Sequence, residues 1–90
     1  MNFEFDPGKN EVNRAKHRFG FEAAQQLWRA PAVEADLGVV HGEYRYARLG
    51  PLADGIYIAI FTYRAGPVIR LISARKATVK EIEFYEQNKK

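Results

Sequence analysis

The sequence predicts an α+β fold, a curved antiparallel β-sheet with helices packed on it, in the order β-α-α-β-β-β-β-α. Three observations lead there. Apolar residues recur at helical spacing up to Pro31 and alternate with period two from Glu43 onward. The alternating segments are joined by short turn-marked links, Asp54-Gly55 and Arg64-Ala65-Gly66-Pro67 among them, too brief for crossover helices. Thr78-Val79-Lys80-Glu81 is a capping box, the signature of a helix start. At 90 residues the chain has room for one domain, spanning 1–90, around one core.

Each element has its own warrant. In Asn2-Phe3-Glu4-Phe5 the phenylalanines alternate with polar residues, which predicts a short opening strand. Asp6 then serves as an N-cap with Pro7 at the first helical position, so a helix runs from Pro7 to about Arg18. Its apolar stripe is Val12, Ala15 and Phe19; Lys9, Asn13, Lys16 and His17 form the polar face. Gly20 breaks the run. A second helix, about Phe21 to Arg29, carries Phe21, Ala24, Leu27 and Trp28 at helical spacing and stops before Pro31. Ala32 to Leu37 and Glu43 to Leu49 read as strands, and Gly50-Pro51 as a turn. GIYIAIFTY, Gly55 to Tyr63, is the most regular strand, with Ile56, Ile58 and Ile60 on one face and Tyr57, Ala59, Phe61 and Tyr63 on the other. Val68 to Ala74 returns after the hairpin, and simple alternation places Arg70 with Val68, Ile72 and Ala74. The last helix follows Val79, Ile82 and Tyr85, with Tyr85 in the core, and ends in a charged tail from Gln87 to Lys90.

Composition narrows the chemistry. Hydrophobic residues make up 47% and charged residues 28%, an ordinary globular balance. With no cysteine there is no disulfide, thiolate metal site or cysteine nucleophile, which suits a reducing cytoplasm. The segment MNFEFDPGKN lacks the basic-then-apolar pattern of a secretory signal, and no apolar run reaches membrane-spanning length, so a cytoplasmic location is expected. Phosphate-binding glycine motifs are absent, His17 and His41 are the only histidines, and Ser73 is the only serine. No metal and no cofactor are expected.

The net charge of +3 is unevenly spread. Between Glu43 and Lys76 stand Arg45, Arg48, Arg64, Arg70, Arg75 and Lys76 against Glu43 and Asp54, while Glu4, Asp6, Glu11, Glu22, Glu81, Glu83 and Glu86 lie towards the ends. The strand-rich middle is therefore the electropositive part, and arginine, lysine, histidine and tyrosine are the set suited to a phosphodiester. Cleaving RNA without a metal needs a base for the 2′-hydroxyl proton, a cation for the charge developing at phosphorus and an acid for the leaving oxygen. A guanidinium fork matches two phosphate oxygens, and an exposed tyrosine stacks on an unpaired base. Two readings fit each cation. Arg70 either faces such a groove or snorkels at a sheet edge. Arg75 and Lys76 either bind phosphate, or cap the strand end or complement the acids of the last helix. His17 either moves a proton or steadies a helix C-terminus.

The stretches FEFDPGKNEVNRAKH, EYRYARLG, IFTYR and IRLISARKATVKEIEFYE, in that order, resemble the BrnT toxins of type II toxin–antitoxin systems, within the RelE-like ribonuclease superfamily. The resemblance implies a RelE-like fold and an endoribonuclease that acts without metal and inhibits translation. It also implies a BrnA-type antitoxin with a ribbon-helix-helix part, through which the pair would reach operator DNA and repress its own operon. By position, Lys16 and His17 match the family's Lys-His pair, and Arg45, Arg64, Arg70 and Arg75 match its arginines. Lys16, His17, Arg64, Arg70 and Arg75 are thus the expected catalytic set, with Arg45, Lys76 and Tyr63 expected to bind RNA. The chain departs from the family pattern with Arg18 where glycine is common, Gly20 where serine is common and Phe5 where tryptophan is common. A second class of function stays open from the residues alone: a non-catalytic basic domain that holds an acidic protein or nucleic acid.

Overall fold

Strand alternation organises the molecule around Gly55–Arg64, and the computed structural model, which describes residues 2–89, shows what lies on each side of it. The elements are β1 (Asn2–Glu4), α1 (Pro7–His17), α2 (Phe21–Ala24), a 3₁₀ turn (Gln25–Trp28), β2 (Val33–Val40), β3 (Glu43–Leu52), β4 (Gly55–Arg64), β5 (Val68–Lys76) and α3 (Val79–Asn88). They form one five-stranded sheet in the order β1-β5-β4-β3-β2. From β2 to β5 neighbours are antiparallel; β1 joins the β5 edge in parallel, which the expected meander did not include.

The two faces of the sheet bury different things. Tyr57, Ala59 and Phe61 of β4, with Ile69, Leu71 and Ala74 of β5, pack against Phe19, Phe21, Ala24 and Leu27. Trp28 sits edge-on to Phe61 and to Phe3, at 5.0 and 5.2 Å. On the other face Ala47, Leu49 and Ile58 form a smaller cluster with Tyr85 of α3. The core role expected for Tyr85 is therefore correct.

A β-bulge decides which β5 residues belong to which face. Ile60 pairs with Ser73 while Phe61 pairs with Leu71, so Ile72 is the extra residue. Past it the alternation inverts. Ala74 turns into the core and Arg75 turns onto the face of Arg70, five positions earlier. In an unbroken strand an odd separation would put the two arginines on opposite sides. The parity expected for Arg70 is thus right for Val68 and wrong for Ala74.

The first helix does not bury an apolar stripe. Val12 is 66% exposed and Ala15 is exposed, whereas Asn10 and Asn13 are buried. Asn13 donates through its amide to the carbonyls of Phe19 (2.7 Å) and Ala74 (2.6 Å). Its oxygen faces the Ala74 N–H at 3.4 Å. Among the described residues β1 pairs with Val68 to Arg70, so beyond Arg70 the edge of β5 lies open, and α1 closes it with an amide. Asn10 accepts from the Phe21 N–H at 2.8 Å and so caps α2, where Gly20 has no side chain to do it.

Several boundaries also move. The second helix tightens to a 3₁₀ turn after Ala24. Gly50-Pro51 lies inside β3 rather than in a turn, and β2 extends to Val40. Pro51 is tolerated because β2 ends opposite Leu49, leaving that side of β3 without a ladder partner. Asp6 caps α1 as expected, accepting from Gly8 at 2.7 Å and Lys9 at 3.2 Å. Arg18, at φ 54°, ends it in the left-handed conformation that favours glycine.

Two outcomes test this account. Asn13→Ala leaves buried peptide groups without partners and should lower unfolding stability by about 2–3 kcal/mol in urea titrations. Arg18→Gly relieves the left-handed strain and should raise it by about 0.5–1 kcal/mol, after the entropic cost of glycine in the unfolded chain.

Candidate active site

Four of the expected arginines leave the sheet on one face. Arg75 stands opposite Ile58, Arg70 opposite Thr62 and Arg64 opposite Val68, all on the side away from α1 and α2. Arg45, two residues before Ala47, points the same way, because Ala47 packs with Ile58 in the cluster of that face. α3 covers one half of the face. The other half, around the ends of β1, β3, β4 and β5, is charged.

That charged half is an alternating chain of five side chains. Arg70 Nη1 meets Glu4 Oε2 at 2.6 Å, and Arg64 Nε lies 3.9 Å from the same oxygen. Arg64 Nη1 reaches Glu43 Oε2 at 3.1 Å, and Arg45 Nη2 lies 3.4 Å from Glu43 Oε1. The order is therefore Arg70, Glu4, Arg64, Glu43, Arg45, three cations against two anions. Arg45 Nε is buried and has no hydrogen-bond partner. Beneath the chain Thr62 donates its hydroxyl to the Tyr44 carbonyl at 2.6 Å, which fixes β4 to β3 under the arginines.

Arg75 is held separately, in the half that α3 covers. Its guanidinium makes a two-pronged pair with Glu81 at 2.7 and 2.9 Å, and also donates to the Lys76 carbonyl at 3.2 Å. Glu81 is the third residue of α3, and its carboxylate also accepts from the Thr78 N–H at 2.8 Å. The hydrogen bond from Arg75, with help from Thr78 and against the effect of burial, lowers the Glu81 carboxyl from its ordinary 4.5 to about 2. The same pair raises Arg75. The capping box foreseen in the sequence thus anchors the start of α3 to the sheet.

The remaining expected residues lie elsewhere. Lys16 and His17 line a hollow of about 500 Å³ between α1 and β5, with Asp6, Lys9, Ile72 and Ser73 on its walls. None of the arginines of the charged face lines it, but its β5 wall is the bulge that lies between Arg70 and Arg75. Tyr63 and Lys76 are on the opposite face, paired across the ladder with Ile69 and Tyr57. Tyr63 is half exposed and touches Tyr46 and Phe61 edge-on at 5.2 and 5.5 Å; burial, foremost, raises its phenol. Lys76 lies 3.4 Å from Asp54 and above the Tyr57 ring.

Sequence reasoning missed Glu4 and Glu43 as partners of the site, and it gave Arg48 no role. Arg48 is an internal strut: it donates to the carbonyls of Leu27 (2.7 Å) and Ala30 (3.3 Å), pairs with Glu34 at 2.7 Å and lies over Trp28. Glu43 stands two residues before Arg45 on a strand, so period two already placed them on one side. Nothing local marked Glu4. Among the described residues no three His, Asp or Glu side chains gather in a way that could hold a metal ion, and no helix is long and apolar enough to cross a membrane.

Residues 5–81 match the family described as ribonuclease toxin, BrnT, of type II toxin–antitoxin systems. Among solved structures, the crystal structure of the Brucella abortus ribonuclease toxin BrnT aligns with a TM-score of 0.64 at 22% identity. The alignment covers 87% of this chain and 97% of that one, a likeness of fold. No curated protein matches the chain.

Protonating Glu81 breaks its pair with Arg75, and the sign of the effect follows from its lowered pKa. The stabilisation is complete above about pH 4.5 and fades as pH falls towards 2. The stability difference between the parent and Glu81→Gln, about 1 kcal/mol after solvent screening, should therefore shrink over that window in denaturant melts. Carboxyl titration followed by NMR should place the Glu81 midpoint well below the ordinary glutamate value of 4.5.

Proposed function

The chain belongs to the BrnT family of ribonuclease toxins of type II toxin–antitoxin systems, and from that premise we propose that it cleaves RNA without a metal ion, on the arginine face of its sheet. The observation that carries this reading is the common direction of Arg45, Arg64, Arg70 and Arg75. Guanidinium groups carried on three neighbouring strands, with the strand backbones about 4.8 Å apart, suit a run of phosphates. Arg64 and Arg70, which share Glu4, bind and polarise the scissile phosphate, Arg45 holds a flanking one, and Arg75, held by Glu81, meets the RNA strand further along β5. An RNA strand laid across β5 at its bulge also meets the hollow of Lys16 and His17.

In this reading Lys16 or His17 takes the proton from the 2′-hydroxyl. The freed oxygen bonds to phosphorus, the bond from phosphorus to the 5′-oxygen breaks, and a protonated group returns a proton to that oxygen. The products are a 2′,3′-cyclic phosphate and a 5′-hydroxyl end. The arginines stabilise the charge that builds on the phosphorane oxygens, where fixed cations are most effective. Lys76 and Tyr63, on the far face, serve only RNA that wraps round the sheet.

The biological setting follows from the same premise. RNA cleavage in the cytoplasm would inhibit translation, and a BrnA-type antitoxin with a ribbon-helix-helix part would neutralise the enzyme and, with it, repress the operon. One observation favours a second reading. Arg45, Arg64 and Arg70 are all paired internally with carboxylates, as in a domain that only holds a partner.

Incubating the purified protein with RNA in EDTA separates the two. The nuclease reading expects cleavage leaving 2′,3′-cyclic phosphate ends, and losses of about 100-fold or more in His17→Ala and Arg70→Ala. Cleavage that requires added metal contradicts the mechanism, and RNA binding without cleavage selects the second reading.

A further inference from the structure

The five-membered chain of Arg70, Glu4, Arg64, Glu43 and Arg45 is a poor device for stability. Its members are partly exposed, with Arg64 and Glu4 each more than 40% accessible, and pairs of that kind contribute little to folding. It is also incomplete, since three cations share two anions and Arg45 Nε is buried without an acceptor. A carboxylate and a phosphodiester carry the same single charge and present the same pair of oxygens to a guanidinium fork.

From this arrangement we propose that Glu4 and Glu43 are resident surrogates for two backbone phosphates of RNA, holding Arg45, Arg64 and Arg70 in their binding pose until the strand displaces them. The inference rests on the reading of this face as an RNA site and adds residues and a consequence to it. Glu4 bridges Arg70 and Arg64, and Glu43 bridges Arg64 and Arg45. Two adjacent phosphates would fall in the same two intervals. The carboxylates therefore set affinity: they organise the arginines, and they compete with the substrate for them. Arg75 stands outside this exchange, because Glu81 is also tied to the start of α3.

Charge-neutral isosteres test the competition. Glu4→Gln and Glu43→Gln are compared with Glu83→Gln, which makes the same change in net charge on an exposed position of α3. The probe is a short RNA with every 2′-hydroxyl methylated, so that binding is measured with no cleavage, by fluorescence anisotropy across a salt series. Each site variant should bind several-fold more tightly at low salt. Its plot of log K against log salt should steepen by about 0.7 for each arginine released. Glu83→Gln should leave that slope unchanged.

Slopes that match the parent, an equal gain with Glu83→Gln, or weaker binding together with a lower melting temperature would each overturn the proposal, the last by showing the pairs to be structural. Cleavage of unmodified RNA by the parent is scored separately. Cleavage without a change of slope removes the surrogates and leaves the nuclease; a steeper slope without cleavage keeps the surrogates and removes the catalysis.

Discussion

The extra residue at Ile72 decides which side chains of β5 face the core, because Arg70 and Arg75 are five positions apart and strand alternation permits no other way to bring them to one side. A side-chain period of two makes every insertion a reversal. Upstream of the bulge β5 sends Ile69 and Leu71 into the main core and Arg70 out; downstream it sends Ala74 in and Arg75 out. Threaded through the same residues without a bulge, the strand would turn Arg75 to the core side, where Ala74 now packs, and would face a choice between an unpaired buried charge and a lost core. The bulge removes that conflict and yields a polar face and an apolar face from one basic strand.

A bulge leaves the edge of its strand irregular, and the first helix answers that need. Asn13 stands where an apolar stripe would have been the simpler solution, and its amide satisfies peptide groups at Ala74 that no strand reaches. Asn10 does the corresponding work at the start of α2. Packing a helix by buried amides rather than by apolar area fixes its position through directional bonds. α1 is therefore held in one register against β5, with the end bearing Lys16 and His17 beside the bulge. The bulge that shapes the arginine face thus also forms a wall of the hollow that Lys16 and His17 line.

This explains what could and could not be read from residues alone. Period-two runs and the capping box announced β4, β5 and α3, since those signals are local and each residue carries its share. A bulge has no such signal: IRLISARK alternates acceptably in either phase, and only the partner strand decides. Asn13 looked like surface because amides usually are, and its burial depends on a carbonyl 61 positions away. The direction of β1 was equally hidden, for three residues can pair with a neighbour in either sense. The arginines themselves were legible, being the cations of strands; their partners were not.

Linear charge segregation misled for the same reason. The middle of the chain is basic and its ends are acidic, yet the fold returns the ends to the middle. Glu4 arrives with β1 on Arg70, and Glu81 arrives with α3 on Arg75. Glu4 is also part of the short ladder that joins β1 to β5, which pairs only Asn2, Phe3 and Glu4 with their partners. Whatever draws its carboxylate from Arg70 removes one of the ties of that strand. Phe3 rests edge-on against Trp28, the only tryptophan in the chain, which itself packs on Phe61 in the core, so β1 is joined to the core as well as to the ladder. One carboxylate thus belongs both to the arginine face and to the strand that closes the edge of the sheet.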